Sequence, residues 1–227
     1  MDGATIYTDT RARLLALGPS LDADDAATPV PALPGWTVRD TYAHLTGVPS
    51  DVLNGRMDGA GGDAWTARQL DARRGASLSE VCGEWEGDAP AFDAWLGEAD
   101  QRGIFCVFDA WAHCQDIRGA LGEPRPEPAG GADEATAFLL ANALEVFDHR
   151  FRGAGTPALA LVTDTAARTI GDGDPGARLR TDDYSLMRIL FGRRSRAQIL
   201  AADWDGDAEP YLEQLHLFDL PVGDLVD

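Results

Sequence analysis

Cysteine is scarce and odd in number: Cys82, Cys106 and Cys114 are the only three in 227 residues, and no two form a close Cys-x-x-Cys pair. That excludes a disulfide framework and a structural zinc knuckle as the basis of the fold, and it fits a reducing compartment. Basic charge is also short. Nineteen Lys and Arg face 38 Asp and Glu, giving a formal net charge of −19, so the chain has no basic footprint for a phosphate backbone and no nucleic-acid partner is expected. The acidity itself reads as a solvated surface. Long apolar runs are missing as well. No stretch reaches membrane-spanning length without charges, and the opening MDGATIYTDTRAR lacks the basic start and apolar run of a secretory signal. The expectation is a soluble, cytoplasmic protein with no membrane partner, either a monomer or a homodimer.

What is present is enough apolar residue, 44% of the chain, to bury real cores. Apolar positions recur at helical spacing over 6–17, 38–53, 78–96 and 104–121, and four such segments predict a bundle. Pro34 and Gly35 break the chain ahead of Thr37, and Thr37-x-x-Asp40 reads as a helix N-terminus with an acid at the positive end of the dipole. His44 then lies about two turns inside that helix. The Gly- and Asp-rich segment 57–74 reads as a mobile loop able to cover one end of the bundle. The proline-rich run GEPRPEPAGG (122–131) cannot continue a helix and reads as a linker. It divides the chain into domains 1–122 and 132–227. The second domain mixes a helix over 133–151, strand-like ALALVTDT, ARTI and ARLRTD, helical 184–191 and 196–204, and a last apolar segment, 211–218. The fold class expected is α+β, a four-helix bundle followed by a smaller mixed α/β domain.

The segment 104–121 is apolar around most of its circumference, which marks a central helix and makes its polar members worth explaining. Asp109 and His113 are four apart, about 40° from one another around the axis, so both can reach one point. Asp116 continues the stripe and could accept from an imidazole nitrogen. A carboxylate and an imidazole on one face, joined by an imidazole from another bundle helix, make a three-ligand site that suits zinc. The same spacing also fits a buried Asp–His pair that only satisfies itself. Cys114, about 100° around the helix from His113, reads as packing. Trp36, Trp111 and Trp204 read as core anchors. His149 and His216 stand without ligand-like companions except Asp148 and Asp219, and read as hydrogen-bonding residues. Gly171-x-Gly-x-x-Gly176 has the spacing of a dinucleotide fingerprint, but Pro175 and the strand-like residues after it make it a turn.

LPGWTVRDTYAHLTG (33–47) and DAWAHCQDIRGALG (109–122) together resemble the mycothiol-dependent maleylpyruvate isomerase family. FGRRSRAQI (191–199) and DWDGD (203–207) are similar to the C-terminal part of the same actinobacterial proteins, so the resemblance spans nearly the whole chain. It implies a DinB-like metal-binding four-helix bundle with a C-terminal α+β domain. Carried over by position, it implies His44, Asp109 and His113 as ligands of a divalent metal ion, zinc first, with Asp109 standing where the family usually has glutamate. It further implies mycothiol as thiol cofactor, a small electrophile as partner, and an isomerase or S-transferase reaction. Arg193 or Arg194 is then the candidate cation for substrate carboxylates, an assignment that competes with helix-end capping. The shorter acid at 109 keeps open an alternative: a family member that binds a small molecule or partner without catalysis.

Overall fold

The structure is a computed structural model and describes residues 1–99, 101–123 and 133–226. Apart from its terminal residues, the chain forms two compact units, Asp2–Arg125 and Pro126–Val226. Most of the proline-rich segment assigned as a linker, 124–131, lies outside the described residues.

The N-terminal unit holds α1 (Gly3–Leu17), a short α2 (Ala23–Ala26), α3 (Val38–Leu53), α4 (Asp63–Ala72), α5 (Leu78–Glu98) and α6 (Gln101–Ala120). Helix α3 packs on α5 and α1 on α6, while α3 also meets α6 and α1 meets α5. These four long helices are the bundle that the apolar periodicity predicts. Their ends are fixed locally. Thr37 caps α3 in a reciprocal box, with its hydroxyl accepting from the Asp40 N–H and its own N–H donating to the Asp40 carboxylate. Ser77 and Glu80 do the same for α5. Helix α6 ends where Gly122 turns left-handed, at φ 69°, and the amides of Gly122 and Glu123 fold back onto the carbonyls of Gly119 and Arg118. Between the helices Trp85, Tyr42, Phe92 and Tyr7 are fully buried. The polar tips of three of them are used, Trp85 Nε1 donating to Tyr7 Oη and Tyr42 Oη to the Leu14 carbonyl.

Segment 57–74 departs from expectation. It is not an open loop, because most of it is α4, with Trp65 and Gln69 buried. Arg73 anchors the end of that helix to the Glu84 carboxylate of α5. Arg39 of α3 donates to the Arg73 and Ala76 carbonyls beyond it. The glycines that suggest a loop belong to 55–62, just before the helix.

The C-terminal unit opens with α7 (Glu134–Ala154) and continues through β1 (Pro157–Val162), β2 (Ala167–Ile170), β3 (Asp172–Arg180), α8 (Asp183–Leu190), α9 (Arg196–Leu200) and β4 (Asp203–Asp205). The strands lie in the order β2-β1-β3-β4, with β1 antiparallel to β2, parallel to β3, and β3 antiparallel to β4. The arrangement is α+β, as expected. One face of α7, from Leu139 to Phe151, is buried in this unit's core. The Gly171–Gly176 segment is not simply a turn. Only Gly171, at φ 86°, makes the reversal, with its N–H held by the Asp148 carboxylate, and residues 172–176 are already part of β3. They are nonetheless bulged: the register steps from Pro157↔Asp172 to Leu159↔Ala177, so 173–176 stand opposite Ala158 alone. The helix expected over 196–204 stops at Leu200, and Trp204 sits on β4, its indole N–H donating to the Ile199 carbonyl. In 211–218 regular structure is limited to the end of a 3-10 turn, Glu209–Gln214.

The capping box of α3 generates the first prediction. Thr37→Ala removes the box and should cost about 1 kcal/mol. Urea unfolding followed by tryptophan fluorescence is the measurement, since every tryptophan except Trp204 belongs to the N-terminal unit. The expected result is a lower midpoint at unchanged slope; an unmoved midpoint would show that tertiary packing alone sets the start of α3.

Candidate metal centre

Three side chains of the N-terminal unit converge. Helix α3 supplies His44, and α6 supplies Asp109 and His113 one turn apart. His44 Nε2 lies 3.2 Å from Asp109 Oδ1 and His113 Nε2 lies 3.4 Å from the same oxygen. One donor atom from each residue falls within 4.8 Å of the others. Both imidazoles are buried, whereas the Asp109 side chain keeps 29% of its surface open. The site therefore has a closed floor and one accessible side.

The far side of each ring is occupied. His113 Nδ1 donates to Asp116 Oδ2 at 3.1 Å, and that carboxylate has no exposed surface. His44 Nδ1 donates to Gln69 Oε1 at 2.7 Å. The Gln69 amide is oriented by its other end, Nε2 donating to Asp51 Oδ2 at 2.8 Å, and Asp51 in turn accepts from Arg56 Nε at 2.7 Å. With both Nδ1 atoms committed as donors, both Nε2 atoms face the common point. Two indoles flank it. The Trp36 ring meets His44 edge-on at 5.3 Å and stacks near His113 at 6.2 Å, and Trp65 meets His44 edge-on at 6.0 Å.

The donor chemistry fits a divalent ion. Ligands held about 2.0–2.1 Å from a tetrahedral zinc are about 3.3–3.4 Å apart, close to the 3.2 and 3.4 Å that separate the two Nε2 atoms from Asp109 Oδ1. Without an ion, two ring nitrogens directed at one carboxylate oxygen are favourable only if protons bridge the gaps, so a cation and protons compete for the same positions. The electrostatics reflect this. Burial pushes the Asp109 carboxyl up, but the His44 and His113 imidazoles outweigh it and hold that group well below the usual carboxylate range. Burial pulls the His113 imidazolium down, and the Asp109 and Asp116 carboxylates outweigh that in turn, raising its pKa from 6.5 to about 9.

Of the residues singled out in the sequence, His44, Asp109, His113 and Asp116 come together here. Arg193 and Arg194 belong to the C-terminal unit. There the Arg193 guanidinium is buried, donates to the Phe191 carbonyl and lies 5.5 Å over the Phe218 ring, and Arg194 donates to the Arg193 carbonyl. Cys114 and Cys106 are buried, and burial pushes their thiols up to about 11 and about 12, which suits packing rather than nucleophilic attack. His149 and His216 lie in the C-terminal unit, the latter donating to the Phe218 carbonyl. The sequence reading missed Gln69 and Asp51, and it took Trp36 for a core anchor although the indole is only half-buried beside the histidines. A helical reading of 63–72 would have found Gln69 and Trp65 four apart on one face.

Residues 7–105 match the family described as the mycothiol maleylpyruvate isomerase N-terminal domain. That match includes His44 and stops short of Asp109 and His113. Among solved structures, the chain is similar to a mycothiol-dependent maleylpyruvate isomerase, at 12% identity and a TM-score of 0.52, over 84% of this chain and 88% of that one. A histidine-to-alanine mutant of such an isomerase aligns at 10% identity and a TM-score of 0.51 over the same shares. No curated protein matches the chain. The resemblance read from the two histidine motifs is thus borne out: residues 7–105 match the N-terminal domain described for mycothiol maleylpyruvate isomerase, and the chain shares the fold of a solved mycothiol-dependent maleylpyruvate isomerase.

Proposed function

We propose that the protein binds one divalent metal ion through His44, Asp109 and His113 and uses it, with mycothiol as thiol cofactor, in an isomerase or S-transferase reaction on a small electrophile. The observation that carries this reading is the commitment of both Nδ1 atoms to acceptors, which directs both Nε2 atoms at one carboxylate oxygen, 3.2 and 3.4 Å away. Zinc is the first candidate, because two imidazoles, one carboxylate and an open side are the donor set of a catalytic zinc site.

When bound, the ion would supply Lewis acidity that favours the thiolate over the thiol of the cofactor. The chain's own residues do the rest. Asp116 and Gln69 keep the His113 and His44 rings from turning, so that no ligand geometry has to be reached at the cost of reorganisation. Asp109 offsets part of the charge on the ion and, through its exposed edge, marks the side from which cofactor and substrate enter. Trp36 and Trp65 restrict water around the rings and give an apolar wall to whatever is held there. All three thiols of the chain are buried, and the role of nucleophile falls to the cofactor.

Three outcomes follow. Protein purified without chelator should carry about one equivalent of a divalent ion by elemental analysis, and both His44→Ala and His113→Ala should lose it with near-native far-ultraviolet circular dichroism. Full stoichiometry in either variant would remove that residue from the ligand set. Because His113 is held protonated up to about pH 9, adding zinc to the apoprotein at pH 7.5 in weak buffer should release protons, and His113→Phe should release fewer. In the apoprotein the ion pairs of His113 stabilise the fold. The pKa is raised above its unfolded value, so this contribution is complete below about pH 6.5 and is lost as the pH climbs through about 9. Chelator-treated protein should therefore unfold at lower urea concentration at pH 9 than at pH 6.5, with a smaller difference in His113→Phe.

A further inference from the structure

The two histidines are backed by chemically different groups, and the difference points to a residue on α4. His113 leans on the buried carboxylate of Asp116, one turn along its own helix. His44 leans on a neutral amide brought from elsewhere: Gln69, 2% exposed, on the helix that follows the glycine-rich stretch. Four further features hold Gln69 in place. Asp51 takes its N–H and fixes which end faces His44. Arg56 holds Asp51 from the other side. Arg73, itself paired with Glu84, donates to the main-chain carbonyl of Gln69. Gly47 clears the space for its stem: a Cβ at position 47 would stand 2.7 Å from Gln69 Cβ and Cγ and 2.9 Å from Cδ. Glycine inside a helix is unfavourable without such a reason, and Gly47 lies within α3, between His44 and Asp51.

We infer that Gln69 is the positioning residue of His44: through the chain Arg56–Asp51–Gln69 it keeps Nδ1 as the donor and Nε2 turned toward Asp109, with α4 docked on α3 at Gly47 to place it. The inference rests on the metal reading above only for its effect on affinity, since the ring orientation exists without an ion. An amide is suited to the task because it has an acceptor for the imidazole and a donor for the carboxylate behind it. A carboxylate at 69 would confront Asp51 with acceptor against acceptor, and an aliphatic chain would leave the buried Nδ1 donor unanswered.

The experiment uses the full chain and two readouts, the exchange-protected Nδ1–H resonance of His44 in metal-free protein and competition for zinc against a chromophoric chelator. Gln69→Leu should lose the protected resonance and weaken zinc binding by about 10–100-fold. Gly47→Ala should do the same in direction, although it touches no hydrogen-bonding group. Gln69→Glu should also be impaired, and adding Asp51→Asn to it should restore both readouts, because the amide then standing at position 51 can donate to the carboxylate at position 69 while that carboxylate accepts from His44. Packing alone predicts no such rescue, which keeps the inference testable even if Gln69→Leu fails to fold. A protected Nδ1–H and unchanged zinc affinity in Gln69→Leu, or no recovery in the Gln69→Glu, Asp51→Asn double variant, would overturn it. If the wild type takes up no zinc, the metal reading falls, and the Nδ1–H signal still decides the role of Gln69.

Discussion

Everything around the site depends on one constraint: two buried imidazoles must each be satisfied at one nitrogen so that the other can be left for something else. A buried donor without an acceptor costs more than most packing contacts contribute. Each Nδ1 therefore needs a partner fixed by the fold, and the choice of partner determines where Nε2 points. Asp116 answers for His113 and Gln69 for His44, and both Nε2 atoms arrive at Asp109 Oδ1. The short acid at 109 reaches this point without difficulty, since α6 carries Asp109 and His113 one turn apart and α3 brings His44 to the same level.

The bundle supplies that constraint with rigidity. The capping box fixes the start of α3 two turns before His44, and α6, buried along most of its length, carries Asp109 and His113. The small helix α4 closes the arrangement laterally, with Trp65 and Gln69 on the face toward α3. Its own anchorage by Arg73 on Glu84 and by Arg39 on the carbonyls beyond it shows why a helix of ten residues, too short to be stable alone, is ordered here.

Where expectation and structure part, the causes are physical. The segment 57–74 opens on a run of glycines, and the few apolar residues of α4 give only a weak periodic signal, because its buried face is made of one tryptophan and one glutamine. A glutamine buried to serve a histidine is indistinguishable, in sequence, from a glutamine in water. The Gly171–Gly176 run reads as a turn because its residues are turn formers, yet pairing with β1 draws it into a bulged strand, and Trp204 leaves its helical context to pair on β4. In both places a neighbouring strand overrides local preference.

Legible in the chain before any folding were the bundle helices, whose apolar stripes are written at helical spacing, the cap at Thr37, and the α-helical adjacency of Asp109, His113 and Asp116, which follows from 3.6 residues per turn alone. The motifs that carry the family resemblance were legible there too. It took the packed bundle to establish that His44, 65 residues before Asp109 in the chain, shares a carboxylate oxygen with His113, that Gln69 and Asp51 stand behind His44, and that Gly47 is a clearance rather than a weak point in its helix. Those are relations between helices. Spacing fixes what one helix presents on its face, but the register at which two helices meet is set by how all their side chains pack together.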